Sequence, residues 1–227
     1  MVAWLHDGRW HNIMITIIIA AQKGGAGKTT LAAHLGVVAS TQINVAMADL
    51  DPQGSLAAWA GIRGERAPQV ATVYHTDLAA WLDEQRVSGV ELAVIDTAPR
   101  AGAWATAVLQ CADLIVIPLR PTALDLLALD ATALLVKSAK RPALVVLSQV
   151  PPRSPEADDM PTIIAARTKL EVATARIGER RAYARALAEG LAVSEFPGSM
   201  AARTEIVALA EELLAAARGG QRKGKRG

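Results

Sequence analysis

Aromatic residues are scarce in this sequence: they make up 4% of its 227 residues, and Phe196 is the only phenylalanine. The core therefore has to be built from Ala, Val, Leu and Ile, and the many alanines favour helices packed closely on a sheet. Hydrophobic residues still reach 52%. This content excludes an intrinsically disordered chain and is sufficient for the core of one α/β domain.

Cysteine is also nearly missing, since Cys111 is the only one. One cysteine excludes a disulfide scaffold and a Cys-based zinc site within a single chain. The apolar run Ile13–Ala21 is too short to span a bilayer. Residues 1–12 contain Asp7 and lack the apolar segment of a secretory signal. We therefore expect a cytoplasmic protein.

The chain has little net charge, +2 by formal count, which is not typical of a dedicated nucleic-acid-binding protein. Its last ten residues nevertheless carry five cations and no acid, and the remainder would carry about −3. We interpret residues 219–227 as a basic, disordered tail. Such a tail either contacts DNA or only increases solubility. The candidate DNA-binding residues are Arg222, Lys223, Lys225 and Arg226.

Short apolar runs alternate with Ala-rich stretches of helical character along residues 14–218. This alternation predicts a single α/β domain with a mostly parallel, twisted sheet and helices on both faces. Residues 1–13 are predicted to be an N-terminal extension. Towards the carboxyl end we expect a loop over Pro151–Pro161, a short strand over Ala192–Phe196 and a helix over Thr204–Arg218.

The most specific feature is the segment Gln22–Thr30, between a predicted strand and a predicted helix. Its three glycines let the backbone wrap an anion with inward N–H groups, and the positive end of the helix adds to the attraction. In such loops the lysine reaches the β- and γ-phosphates and the threonine coordinates Mg²⁺. The predicted phosphate site comprises Gly24, Gly25, Ala26, Gly27, Lys28, Thr29 and Thr30, with Thr29 also a metal ligand.

Two carboxylates, Asp49 and Asp51, stand two residues apart at the end of a predicted strand. This spacing places both on the same side, toward the phosphate loop. One can then contact the Mg²⁺ shell while the other orients water for in-line attack. A third carboxylate, Asp96, ends the apolar strand that begins near Leu92. An acid in that position typically holds Mg²⁺ through water.

The segments Lys23–Thr30, Asp49–Ser55 and Leu92–Pro99 together resemble the ParA/MinD superfamily of P-loop ATPases with a deviant Walker A motif, most closely a short, ParF-type ParA. The chain departs from the standard patterns at Gln22, where Walker A has glycine, and at Ala98, where the family has proline. The resemblance implies ATP and Mg²⁺ as cofactors and a single P-loop NTPase domain.

The resemblance also implies roles for individual residues. By it, Lys23 reaches across a dimer to the partner's nucleotide, Asp51 orients the attacking water, and Asp49 supports the metal site together with Asp96. Gln149 stands where relatives contact adenine, although a plain polar strand end accounts for it equally well. Basic residues between Arg176 and Arg185 are interpreted either as a solvated helix face or as a DNA contact.

The implied function is ATP-dependent partition of plasmid or chromosomal DNA. The protein would act as a nucleoid-associated homodimer that forms on ATP binding, holds DNA without sequence preference and is stimulated by a ParB-like centromere-binding protein. Two alternatives stay open: a MinD-like ATPase on a membrane surface, and a ParA-like ATPase of conjugative DNA transfer. The first is disfavoured because a membrane-surface helix needs a bulky apolar face and a basic face, whereas the last helix carries Glu205, Glu211 and Glu212 and is typical of a core-packing helix, so stable membrane association is not expected.

Overall fold

The computed structural model describes residues 14–99 and 103–224, with side chains omitted for Ala103 and residues 220–224. The predicted extension, residues 1–13, lies outside the described residues. The strands are β1 (Ile15–Ile19), β2 (Val45–Asp49), β3 (Gln69–Thr72), β4 (Leu92–Asp96), β5 (Leu114–Leu119), β6 (Ala143–Leu147) and β7 (Glu171–Val172). The helices are α1 (Lys28–Ser40), α2 (Ser55–Arg63), α3 (Leu78–Val87), α4 (Ala103–Gln110), α5 (Ala123–Ala139), α6 (Pro155–Thr168), α7 (Arg181–Ala188) and α8 (Met200–Gly224).

The strands form one parallel sheet in the order β3-β2-β4-β1-β5-β6-β7, which confirms the predicted α/β class. The central strand β1 is apolar throughout because both of its faces are covered. Ile15, Ile17 and Ile19 pack in the core that includes α1 and α8, and Ile18 packs in the core on the opposite face, with α3 and α4.

The register of the central strands brings three carboxyl ends together. Asp96 at the end of β4 pairs with Ile19 of β1 on one side and with Asp49 of β2 on the other. The loops that follow these strands therefore start side by side at one edge of the sheet. In open α/β sheets this edge is where ligands bind.

The loop predicted over Pro151–Pro161 is wrong, because α6 begins at Pro155. The Ser154 hydroxyl caps the helix by accepting the Ala157 N–H at 3.3 Å. Pro155 stands in the first turn, where its missing N–H is not needed. Proline content indicated a loop, but the buried face formed by Ala157, Met160 and Ile164 maintains the helix through Pro161.

The strand predicted over Ala192–Phe196 is also wrong, since the chain makes turns there. Side chains satisfy its buried backbone: Glu195 accepts the Ala192 N–H at 2.9 Å, and His34 accepts the Val193 N–H at 3.2 Å.

Helix α8 is longer than the predicted Thr204–Arg218 and ends at Gly224. Residues 219–224, predicted as disordered tail, are therefore helical, because glycine lowers helix propensity without blocking a helix as proline does.

Candidate nucleotide-binding site

The loop between β1 and α1 has the backbone geometry of an anion-binding site. Gly25 and Gly27 adopt φ angles of 75° and 92°, which residues with a Cβ rarely adopt. Gly27 is also the N-cap of α1, so the positive end of the helix begins at this loop. The predicted residues Gly24 to Thr30 are thus continuous in space: Gly24 to Gly27 form the turn, and Lys28 to Thr30 begin α1.

Lys28, the first residue of α1, is buried, with 7% of its surface exposed. It forms no ion pair with any acid among residues 14–99 and 103–224. Burial lowers the pKa of Lys28, whereas the nearby Asp96 and Asp51 raise it. A buried ammonium group that lacks a close partner is costly, and an anionic ligand would offset that cost.

Thr29 and Asp96 contact one another beside this lysine. The Thr29 hydroxyl donates to Asp96 Oδ2 at 2.6 Å. The other oxygen, Asp96 Oδ1, is buried and has no hydrogen-bond partner among residues 14–99 and 103–224. Burial raises the pKa of Asp96 to about 7; Asp49 and Asp51 also raise it, while the Thr29 hydrogen bond and Lys28 lower it.

These residues fit a magnesium ion that binds together with phosphates. No group of three or more His, Cys, Asp or Glu side chains that could hold a metal occurs within the described ranges. Mg²⁺ does not require one, because at phosphate sites it takes one or two protein oxygens and completes its shell with phosphate and water. The Thr29 hydroxyl and the unpartnered Asp96 Oδ1 supply that kind of donor set.

Asp49 and Asp51 differ in their surroundings. Asp49 is buried, and its two oxygens accept the backbone N–H groups of Asp51 and Ala57, both at 2.9 Å. It therefore fixes the turn between β2 and α2, and its predicted metal role stays a prediction. Asp51 is half-buried, and among the described residues its carboxylate accepts only the Gln53 N–H, at 3.0 Å. Its charge acts on both Lys28 and Asp96, which places it at the same site.

Lys23 has a partner that the sequence did not indicate. Its ammonium group lies 2.8 Å from Asp125 Oδ2, and Arg120 lies 3.1 Å from the other oxygen of Asp125. Burial acts to raise the pKa of Asp125, but hydrogen bonds from Lys23, Thr122 and Arg120 hold it below its ordinary value. No sequence motif links these two residues, which stand 102 positions apart, so the contact was missed.

The end of β6 contacts the loop from its other side. The Ser148 hydroxyl donates to the Ala26 carbonyl at 3.0 Å, and the Gln149 side-chain amide donates to the Gly25 carbonyl at 3.1 Å. The adenine contact predicted for Gln149 stays a prediction.

The candidate DNA residues lie elsewhere in the chain. Arg222 and Lys223 fall in the last turns of α8, and Lys225 and Arg226 lie outside the described residues. In the Arg176–Arg185 segment, Arg176 pairs with Asp158 and Arg180 pairs with Glu205, both at 2.6 Å. Among residues 14–99 and 103–224, no helix has the length and apolar character needed to cross a membrane.

A parallel sheet with a glycine-rich loop before a helix, a buried lysine and two strand-end carboxylates defines a P-loop nucleotide-binding protein. The profile of the family described as CobQ/CobB/MinD/ParA nucleotide binding domain matches residues 17–193. The chain therefore belongs to this family, and the resemblance to the ParA/MinD superfamily is confirmed.

Individual relatives agree with this assignment. Maintenance of carboxysome distribution protein A from Halothiobacillus neapolitanus is 32% identical over 80% of this chain and 88% of its own length. Protein ParA from Rhizobium radiobacter is 34% identical over 49% of this chain and 51% of its own length. The solved ATP complex of Cyanothece McdA superposes with a TM-score of 0.73 at 22% identity, covering 89% of this chain and 96% of that one. The last likeness shows a shared fold.

Proposed function

We propose that the chain is a Mg²⁺-dependent ATPase whose nucleotide cycle switches a homodimer. The observation that carries this proposal is the buried Lys28 beside the Thr29–Asp96 pair, with Asp96 Oδ1 lacking a partner in the part of the chain that the structure describes. Lys28 and the loop amides would hold the phosphates, and Thr29 and Asp96 would hold Mg²⁺. When bound, the ion neutralises charge on the β- and γ-phosphates.

Asp51 is the residue for positioning the attacking water, because it lies at the site and its carboxylate has few other contacts. Lys23 is proposed to leave Asp125 and reach the nucleotide of the second protomer, where its charge stabilises the transition state. No arginine finger stands in the three motifs, so turnover of the isolated protein is expected at about 10⁻³ to 10⁻² s⁻¹.

For the cargo we propose DNA, as in ParA-type partition. The dimer would bind the nucleoid without sequence preference and respond to a ParB-like protein. A protein body is the second candidate, because a relative named for carboxysome distribution matches 80% of this chain. Membrane-surface positioning and conjugative transfer are the two alternatives that the family resemblance leaves open, and no contact among the described residues favours either.

The test has two stages. Phosphate release is measured with ATP, with and without Mg²⁺ and with added DNA; no Mg²⁺-dependent release under any condition would refute the ATPase. The gene is then deleted in its source organism, and replicon loss is counted beside the distribution of protein bodies. Replicon loss supports partition, whereas clustered protein bodies with stable replicons would show the second candidate to be correct. Flotation with anionic liposomes tests the membrane alternative.

A further inference from the structure

The phosphate loop is attached to the end of β6 by two consecutive side chains acting on two consecutive carbonyls. Ser148 holds the carbonyl of Ala26, and Gln149 holds the carbonyl of Gly25. These contacts span 122 and 124 residues of sequence, so they are tertiary contacts and not features of a local turn. Ser148 is buried, which protects its hydrogen bond from competing water.

The direction of a carbonyl fixes the direction of the next amide. In a planar trans peptide unit the C=O of one residue and the N–H of the following residue point in opposite directions. When Gln149 holds the Gly25 carbonyl, the Ala26 N–H must point away from β6. When Ser148 holds the Ala26 carbonyl, the Gly27 N–H must do the same. Two successive amides are thereby oriented together, which is the arrangement that binds an anion.

The backbone at Gln149 is consistent with a functional constraint. Its φ angle is 51°, in the left-handed region that residues other than glycine, asparagine and aspartate rarely occupy. Such conformations are retained where the surroundings over-determine them, and they concentrate at functional sites. A Cβ placed on Gly27 would lie 3.6 Å from Gln149 Nε2. The side-chain amide of Gln149 therefore lies against Gly27 as well as against Gly25, whose carbonyl it holds.

We propose that Ser148 and Gln149 are positioning residues that orient the Ala26 and Gly27 amides of the phosphate loop toward the phosphates. This role rests on the proposed ATPase function only for the identity of the ligand. It differs from the adenine contact predicted for Gln149, since a residue that holds the loop acts on every ligand with the same phosphates, whatever the base.

The test measures Kd by calorimetry for ATP, GTP and inorganic tripolyphosphate, each with Mg²⁺. The variants are Gln149→Met, which keeps length without a donor, and Ser148→Ala. Gln69→Met is the matched control, because the Gln69 amide donates to the Glu65 carbonyl at 3.3 Å on the edge strand β3. Gln149→Met and Ser148→Ala should each raise the Kd of all three ligands by the same factor, about fivefold, as expected for the loss of one hydrogen bond. The control should leave all three unchanged.

A loss confined to ATP would show that Gln149 reads the base and would overturn the proposal, as would unchanged affinity for all three ligands. NMR order parameters of the Ala26 and Gly27 N–H groups in nucleotide-free protein give an independent readout, because they report how tightly each peptide unit is held in one orientation. They should be lower in both variants than in the wild type, and equal order parameters would contradict the positioning role. If the wild type binds none of the ligands, the proposed ATPase fails, yet the order parameters still decide whether these contacts hold the loop. Gln149 is exposed, so Gln149→Met is informative even if Ser148→Ala folds poorly.

Discussion

The phosphate loop and the Arg176–Arg185 segment are both rich in charge, but they use it in opposite ways. At the loop the charged groups are buried and incompletely satisfied: among the described residues, Lys28 lacks an ion pair and Asp96 Oδ1 lacks a hydrogen bond. In the segment, Arg176 and Arg180 are more exposed, and each is paired with an acid of the same chain.

This difference separates a ligand site from a structural surface. Native proteins satisfy nearly all buried polar groups, so buried charges with unused bonding capacity indicate a ligand that completes them. Exposed ion pairs need no ligand, and their contribution to stability is small. The sequence motifs are therefore a stronger indication of a ligand site than the charge count is of a DNA-binding surface.

The largest expected effect comes from removing the buried lysine. Lys28→Ala should reduce ATP hydrolysis by about 10³-fold and weaken nucleotide binding, because the other lysine of the loop, Lys23, is paired with Asp125 and does not replace it. Turnover and Kd are compared with those of Lys137→Ala, which removes an exposed lysine in the last turn of α5. A Lys28→Ala protein with unchanged affinity and turnover would break the distinction between the two regions.

Asp51→Ala should have the next largest effect, about 10²-fold on turnover, because the attacking water loses its orienting carboxylate. ATP affinity should stay close to that of the wild type, since Lys28, Thr29 and Asp96 remain. Light scattering with ATP should then show a dimer that persists. Asp159→Ala, at an exposed position of α6, is the control. Hydrolysis at the wild-type rate would refute the role of Asp51.

The sequence predicted the phosphate loop and the strand-end acids because their positions are fixed locally, by a strand, a turn and a helix start. It did not predict that Asp125 binds Lys23 or that Ser148 holds the loop, since such contacts join residues about a hundred positions apart. The same limit explains α6, where buried contacts with the sheet outweigh the proline content of the segment.

The tail offers a third test of the comparison, because residues 219–227 carry four cations and no acid. Arg222, Lys223, Lys225 and Arg226 are changed together to glutamine, which retains helix propensity. If they contact phosphates, the slope of log K against log salt should fall by up to about 4, at about 0.9 per phosphate. Lys137→Gln is the control. Identical slopes would show that the tail only increases solubility.

Asp125→Asn tests the ion pair that holds Lys23, the lysine of the loop that already has a partner. Lys23 is expected to leave Asp125 in the dimer, so weakening this ion pair should let dimers form at several-fold lower ATP concentration. Asp130→Asn is the matched control, since Asp130 lies on the same helix and pairs with Arg167 at an exposed position. Dimerisation is followed by light scattering across an ATP titration. Weaker dimerisation of Asp125→Asn would mean that the pair supports the dimer.

The smallest expected effect is on the paired arginines. The double variant Arg176→Ala, Arg180→Ala should change DNA affinity in the presence of ATP by less than twofold, because both guanidinium groups are already held by acids of the chain. Releasing them to bind DNA would leave those acids facing the phosphates, so the exchange gains little.

Arg181→Ala is the comparison variant, since Arg181 is exposed and forms no ion pair within the described residues. DNA affinity is measured by fluorescence anisotropy at several salt concentrations. A loss for the double variant as large as that of the neutralised tail would mean that ion-paired surface charge can bind DNA in this protein, and the distinction between the two regions would no longer hold.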